Sequence, residues 1–390
     1  MDKEKMKRLQ ASMAQINKRF GAGTVMKASE AVAQGKLTKK VIPTPSLELN
    51  DALHCGGLSS IVELYGPNSS GKTSLAIDTL VKAQKMDEDF VGGWLETEGS
   101  VTEDILRDHG VDLDRLIFWR QEDVGNAENA LDVARGFITS GDIDMIVVNS
   151  VAGLCPKVES EDDLEKQNIA LTARLLSKFF RVANGVASKN DVTMIFINQT
   201  RDNVGQMFGD PSTTTGGKAL AFYASQRIKM NRLKVMAADP IKEDEGVKIS
   251  CIVHKNRFAG KHNPFTKCVY YATYKNGIDS IVALPQLLLD AGVMRQAGAW
   301  WYYEDASGNL ITVDGIVGKF SSKNNFLDAL RSSEKLYNEL VSKLNNISSV
   351  QSAEEIAAIE AENAKINAEI DSIIREEAAD INTILEQNQE

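Results

Sequence analysis

The 390-residue sequence is poor in the residues that staple small folds or bind transition metals. Its four cysteines, Cys55, Cys155, Cys251 and Cys268, include no CxxC pair, which excludes a disulfide framework and a thiolate zinc site and leaves ordinary thiols. Four histidines, His54, His109, His254 and His262, show no HExxH or related ligand spacing, so metal catalysis through histidine is not expected. No apolar run is long enough to span a bilayer, and the basic start, with Lys3, Lys5, Lys7 and Arg8, lacks the apolar segment of a secretory signal. A cytoplasmic protein without membrane partners is therefore expected. An excess of positive charge is missing too: 44 Lys and Arg stand against 54 Asp and Glu, a poor balance for a phosphate binder.

The distribution of charge changes that expectation. Between Gln351 and Glu390 eleven acidic side chains meet only Lys365 and Arg375, so nearly all the net charge of -10 sits in the tail and the body is close to neutral. Such a tail is either a solvated helix or a competitor of DNA phosphates for a basic groove. Ile356, Ile359, Ile366, Ile370, Ile373 and Ile384 recur at spacings that fit heptad a and d positions, interrupted by Asn363, Glu377 and Asp380, and predict a helix.

With 43% hydrophobic residues the chain has ample core for two or three domains. Met6, Leu9, Met13, Ile16 and Phe20 recur every three or four residues, predicting an amphipathic helix that ends before Gly21 and needs a surface to cover it. That surface belongs either to its own core or to a neighbouring subunit. Short β-branched runs then alternate with helical stretches: "SIVELY", "GWLETE" from Gly93, "IDMIVVNS" from Ile143 and "VTMIFINQ" from Val192, with helices over Ala127–Thr139 and Gln167–Ala187 between some of them. This alternation predicts an α/β fold with a mainly parallel central sheet flanked by helices and ligands at the strands' carboxyl ends. Runs from Lys248 to Asn256 and Phe265 to Tyr274 read as antiparallel additions to that sheet, and "WWYYEDASGN" from Trp300 reads as a hairpin in a small C-terminal α/β domain. The expected organisation is an N-terminal segment over 1–35, a core over 36–275, a small domain over 276–345 and an acidic helical tail over 346–390.

One motif carries chemistry outright. Gly66-Pro67-Asn68-Ser69-Ser70-Gly71-Lys72-Thr73 is a complete GxxxxGK[ST] loop after a predicted strand, with a helix expected from about Ser74. The glycines let backbone amides turn towards an anion at a helix N-terminus, Lys72 suits the β and γ phosphates, and the Thr73 hydroxyl suits Mg²⁺. A nucleoside triphosphate is the expected ligand. Glu96 and Glu98 share one face at strand period, so either is a candidate to orient the attacking water, while the other is a cap or an ion-pair partner. Glu98, nearer the strand end, is the preferred one. After the apolar run "DMIVV", where a magnesium carboxylate is expected, stands the neutral Asn149, which predicts weaker metal binding or slower turnover.

Taken with "MAQINKRFGAGTVMK", "DMIVVNSVAGLCPK", "IFINQTRDNVGQMFGDPSTTTGGKALAFYAS" and "DAGVMRQAGAWWYY", the phosphate loop makes the first 305 or so residues resemble a bacterial RecA-type homologous recombinase. The resemblance implies a RecA-type P-loop ATPase core, an N-terminal docking helix, ATP and Mg²⁺ as cofactors, and an open helical homo-oligomer on single-stranded DNA. Such a filament captures homologous double-stranded DNA and exchanges strands in recombination, repair and the SOS response. By the same resemblance Glu98 activates water and Gln199 senses the γ phosphate, while Lys255 and Arg257 reach the neighbour's ATP. Two DNA loops are implied, over Val158–Asn168 and Thr200–Thr215. Arg174, Arg201, Ile169 and the backbone of Gly216 and Gly217 are the implied DNA contacts, and Phe208 and Phe222 pack at the subunit boundary. Several positions depart from the family: Ile105 replaces an aromatic that stacks on adenine, leaving Thr102 to bond the base, and Asn203 and Ser212 replace charged residues. Two other readings stay open, a DNA-binding scaffold that binds ATP with little hydrolysis and a ring-forming helicase of the same fold.

Overall fold

A computed structural model describes residues 3–161, 170–202, 212–237 and 239–344. The chain forms two compact units, Met1–Ser280 and Ile281–Glu390. The first begins with helices α1 (Lys3–Phe20), α2 (Ala28–Ala33) and α3 (Leu47–Ala52), followed by β1 (Ile61–Gly66), α4 (Lys72–Met86), β2 (Gly92–Glu96), α5 (Glu103–His109) and β3 (Leu116–Arg120). It continues through α6 (Gln121–Val124), α7 (Ala127–Ser140), β4 (Met145–Asn149), α8 (Lys157–Glu161), α9 (Leu171–Lys189), β5 (Thr193–Asp202), β6 (Ser212–Thr214) and α10 (Lys218–Tyr223). The last strands are β7 (Gln226–Leu233), β8 (Gly246–Asn256), β9 (Lys267–Thr273) and β10 (Gly277–Ile278).

These strands make one sheet in the order β10-β9-β8-β7-β1-β5-β4-β2-β3, with β6 paired to β5. The six strands from β7 to β3 run parallel, and β8, β9 and β10 add an antiparallel extension, as the two later apolar runs predict. Edge strand β3 is not among the predicted strands: in "LIFWR" only Leu116 and Trp119 are buried, which breaks the apolar continuity of the central strands. The thiols are less scattered than their spacing suggests, because Cys251 and Cys268 face each other across β8 and β9.

Strand period divides the core in two. Val62 and Leu64 of β1, Trp94 of β2, Val147 of β4 and Ile195 and Ile197 of β5 pack on the face covered by α4. Their neighbours Ile61, Leu95, Ile146, Val148, Met194 and Phe196 pack on the opposite face with α7 and α9. At about 2 kcal/mol per buried large aliphatic side chain, this double coverage outweighs any local propensity in holding the strand ends in register. Helix α1 is different: Leu9, Ile16 and Phe20 on its apolar stripe remain exposed.

In the second unit, α11 (Leu284–Asp290) precedes a three-stranded antiparallel sheet of β11 (Arg295–Ala297), β12 (Trp300–Tyr302) and β15 (Lys319–Phe320). Strands β13 (Thr312–Val313) and β14 (Ile316–Val317) form a ribbon, and α12 (Lys323–Ser332) is followed by a further helix over 334–344. The expected "WWYYEDASGN" hairpin is present in a short form. Its first residues form the middle strand of the sheet, and the return is a single bridge between Glu304 and Leu310 around a turn nucleated by Asp305. Trp301, Phe320 and Phe326 form the aromatic centre of this unit. The acidic tail over 346–390 lies outside the described residues.

Candidate active site and nucleic-acid interface

The carboxyl ends of β1, β2, β4 and β5 meet at one edge, because parallel pairing sets Gly66 beside Gln199 and Glu96 beside Asn149. From β1 the chain turns through Pro67, Asn68 and Ser69, all exposed, to Ser70, buried, and into α4, which starts at Lys72 rather than near Ser74. Glycine is required at both ends of this turn. Gly66 has φ 154°, and a Cβ there would lie 2.0 Å from the Met230 carbonyl oxygen, while Gly71 caps α4 at φ 84°. Lys72 Nζ donates to the carbonyl oxygens of Gly66 and Pro67 at 3.1 and 2.7 Å and to Ser70 Oγ at 3.3 Å. Burial pulls its pKa down, and the charge of Glu98 works against that shift. The first turn of α4 carries no acidic side chain, so the loop suits the phosphates of ATP.

Thr73 Oγ1 donates to Asn149 Oδ1 at 3.4 Å, so a hydroxyl and an amide oxygen converge beside the loop. Such hard oxygen donors fit Mg²⁺, although position 149 brings no charge. The two candidate glutamates are separated. Strand β2 ends at Glu96, which is buried and accepts from Trp94 Nε1 and Asn149 Nδ2, each at 2.9 Å. Beyond the strand, the exposed Glu98 accepts from Ser150 Oγ and, at 2.8 Å, from Gln199 Nε2. Glu96 is thus a structural anchor of the edge, and Glu98 is open to solvent and joined to the end of β5. Ser150 is not a sequence-predicted site residue because nothing in the phosphate-loop motif points to it. Its place after β4 is the only signal.

Thr102 caps α5, its hydroxyl accepting from Ile105 N at 3.4 Å, and Ile105 is 37% exposed. Lys255 and Arg257 are not brought to the chain's own phosphate loop. Lys255 is level with Arg227, and Arg227 with Glu63, three residues or roughly 10 Å down β1 from Gly66. Lys255 Nζ donates to the carbonyl oxygens of Ala221 and Phe222 at 2.9 and 2.8 Å, and Arg257 Nη2 to that of Phe222 at 3.1 Å, so both cations cap the end of α10. Burial, then the charges of Arg257 and Arg227, bring the Lys255 pKa down to about 8.

A second feature lies between α9 and α10: a cavity of about 600 Å³ lined by Arg174, Ser177, Arg181, Lys218, Phe222 and neighbouring residues. Arg174, Ser177 and Arg181 recur at spacings of four or three along α9 and share one face, opposite the buried Leu176, Phe179 and Phe180. Of these, only Arg174 is a sequence-predicted contact. Arg181 and Lys218 are additions from the structure, although the helical spacing from Arg174 is a usable signal for the first. A Cβ on Gly216 would meet Leu176 and Val151 at 2.9 Å, and one on Gly217 would meet Ala173 at 2.9 Å. Glycine is needed here for packing against α9. Ile169, Asn203 and Phe208 lie outside the described residues, as do the side chains of Arg201 and Ser212 and most of the two expected DNA loops. Phe222 is 69% exposed.

Adjacent residues of β5 connect the two features. Gln199 turns to Glu98, whereas Asn198 Nδ2 donates to Glu63 Oε1 at 3.0 Å and to the Thr215 carbonyl oxygen at 2.9 Å, just before Gly216.

The RecA N-terminal domain family matches residues 7–279. The chain is 41% identical over 308 residues to the protein RecA of Bacteroides thetaiotaomicron, covering 77% of this chain and 88% of that protein. It is 35% identical over 367 residues to the protein RecA of Ruminococcus albus, covering 93% of this chain and 84% of that one. With the protein RecA of Clostridioides difficile it shares 38% identity over 310 residues, covering 78% and 84%. A phosphate loop on a parallel sheet, a family match over more than half of the chain and relatives above 30% identity together show that the chain belongs to the RecA family.

Proposed function

We propose that the chain assembles through its N-terminal helix into an open filament on single-stranded DNA, pairs that strand with homologous duplex and exchanges strands under the control of ATP. As a member of the RecA family it is a DNA-dependent ATPase of homologous recombination. The observation that carries the residue-level reading is the Glu98–Gln199 hydrogen bond, which ties a solvent-open carboxylate at the β2 end to the strand leading into the segment over 200–215.

In this reading the loop amides and Lys72 hold the phosphates. Thr73 and Asn149 hold Mg²⁺, which when bound neutralises charge on the β and γ oxygens. Glu98 orients the water and takes its proton, and Gln199 exchanges its bond with Glu98 for one to the γ phosphate. Its neighbour Asn198 carries that change through Thr215 to Gly216 and the cationic cavity, where Arg174, Arg181 and Lys218 take DNA phosphates. The exposed Leu9, Ile16 and Phe20 of α1, and Phe222 beside Lys255, support a heterologous contact that brings Lys255 and Arg257 to a neighbour's nucleotide. In this reading the chain meets its DNA partner in the cytoplasm. Among the described residues no helix is long and apolar enough to cross a membrane.

ATP turnover with and without single-stranded DNA tests the reading, with Lys72→Ala and Glu98→Gln as variants. Stimulation by DNA that both substitutions abolish is the expected result. ATP-dependent DNA binding without stimulated turnover would favour the scaffold reading, for which the neutral Asn149 is the specific observation. Closed rings in micrographs would overturn the filament.

A further inference from the structure

Asparagine at position 149 brings two difficulties to a magnesium edge: it has no charge, and its amide can turn either its oxygen or its NH₂ group towards the cation. Strand period answers both. Glu96 and Asn149 are register partners on β2 and β4, each two residues beyond a core residue of the α4 face, Trp94 and Val147. Both therefore project to the side on which α4 begins with Lys72 and Thr73.

The contacts fix the amide. Asn149 Nδ2 donates to Glu96 Oε2 at 2.9 Å and to Ser100 Oγ at 3.2 Å, which leaves Oδ1 facing the Thr73 hydroxyl. Rotating the amide would set Oδ1 against a carboxylate oxygen, acceptor on acceptor, in a place where Asn149 and Glu96 are 0% and 1% exposed. Glu96 is itself held from every side by donors: Trp94 Nε1 on Oε2, and the amides of Glu98 and Ser100, at 3.0 and 3.2 Å, on Oε1. The pattern is that of a carboxylate acting as acceptor only, and its charge lies one side chain behind Asn149.

We infer that Glu96 is the positioning residue of the magnesium edge, turning the Asn149 amide oxygen towards Thr73 and supplying from β2 the negative charge that position 149 on β4 lacks. The inference deepens the ATP reading and rests on it. Outer partners that orient a ligand typically change metal affinity by about 10- to 100-fold when removed.

The test is Mn²⁺ binding to the full chain in the presence of ADP, followed by electron paramagnetic resonance, beside ADP binding without metal. Glu96→Gln is expected to weaken Mn²⁺ about tenfold while metal-free ADP affinity stays the same. Asn149→Asp added to Glu96→Gln returns the charge to β4, with the new glutamine amide free to donate to it, and is expected to restore most of the Mn²⁺ affinity. Unchanged Mn²⁺ affinity in Glu96→Gln overturns the inference, as does an equal loss of metal-free ADP binding, which marks a purely structural role. Should Glu96→Gln fail to fold, Ser100→Ala removes the other partner of the same NH₂ group from an exposed position and is expected to weaken Mn²⁺ about threefold, with no change counting against the inference. A wild-type chain that binds ADP with no effect of Mn²⁺ overturns this inference alone, whereas one that binds no nucleotide overturns the ATP reading beneath it.

Discussion

The carboxyl edge of the parallel strands and the cavity between α9 and α10 belong to the same unit, yet they are built on opposite principles. At the edge, Glu96, Asn149, Lys72 and Ser70 are buried and hydrogen-bonded to one another or to the backbone, so the arrangement precedes any ligand. In the cavity, Arg174, Arg181 and Lys218 are exposed on two helical faces. A buried network demands one geometry, because an unsatisfied polar group there costs about 1–3 kcal/mol. An exposed cationic face tolerates many geometries and acts mainly through charge. The edge is suited to chemistry, and the cavity to a polymer whose phosphates repeat.

The largest test of this contrast is Gly66→Ala. A Cβ 2.0 Å from the Met230 carbonyl oxygen cannot be accommodated without moving β1 from β7, so nucleotide binding is expected to fall by more than about 100-fold, read by equilibrium binding of ADP. Retained binding would show that the edge is not as rigid as its packing implies. Next in size, Arg181→Ala is expected to weaken single-stranded DNA about tenfold and lower the salt slope by about one, with ADP binding unchanged. Loss of ADP affinity in that variant would break the separation of the two regions.

A smaller effect concerns Lys255. Its pKa is lowered to about 8, so the ammonium loses its proton as pH rises through that value. DNA-stimulated turnover is expected to drop severalfold above about pH 8 and to hold in Lys255→Arg, whose guanidinium stays charged. A drop of the same size in both would remove Lys255 from the required cations. Smallest is the pair of Asp78 on α4 and His109 on α5, at 2.5 Å. The hydrogen bond to Asp78 raises the His109 pKa above 6.5, so its stabilisation is complete below that value and lost as pH rises through the folded value. Thermal melts at about pH 5.5 and about pH 9 should differ less in His109→Gln than in the wild type, by no more than about 1 kcal/mol. An unchanged difference would show that α4 is held by its apolar face alone.

Local signals make part of this legible. The glycines and lysine of the phosphate loop, the β-branched runs of β1, β4 and β5, and the 3-and-4 spacing of α1 each act within a few residues, so composition and period suffice to read them. Edge strand β3 escapes such reading because each of its faces buries a single side chain, Leu116 on the α4 side and Trp119 on the α7 side, which leaves neither a continuous apolar run nor an alternation. Arg181 escapes it although its spacing from Arg174 is in plain view, because an exposed arginine on a helix usually means only solvent.

The sequence by itself determined the phosphate loop, the strand and helix alternation, and the neutral residue at 149, since all three depend on residue identity and short-range geometry. Tertiary structure alone decided that Glu96 stands behind Asn149, that Ser150 and Gln199 both hold Glu98, and that Gln199 and Asn198 face different sides. Those contacts join residues about 50 to 135 positions apart, brought together by parallel register and strand period, and no local preference encodes which distant strands become neighbours.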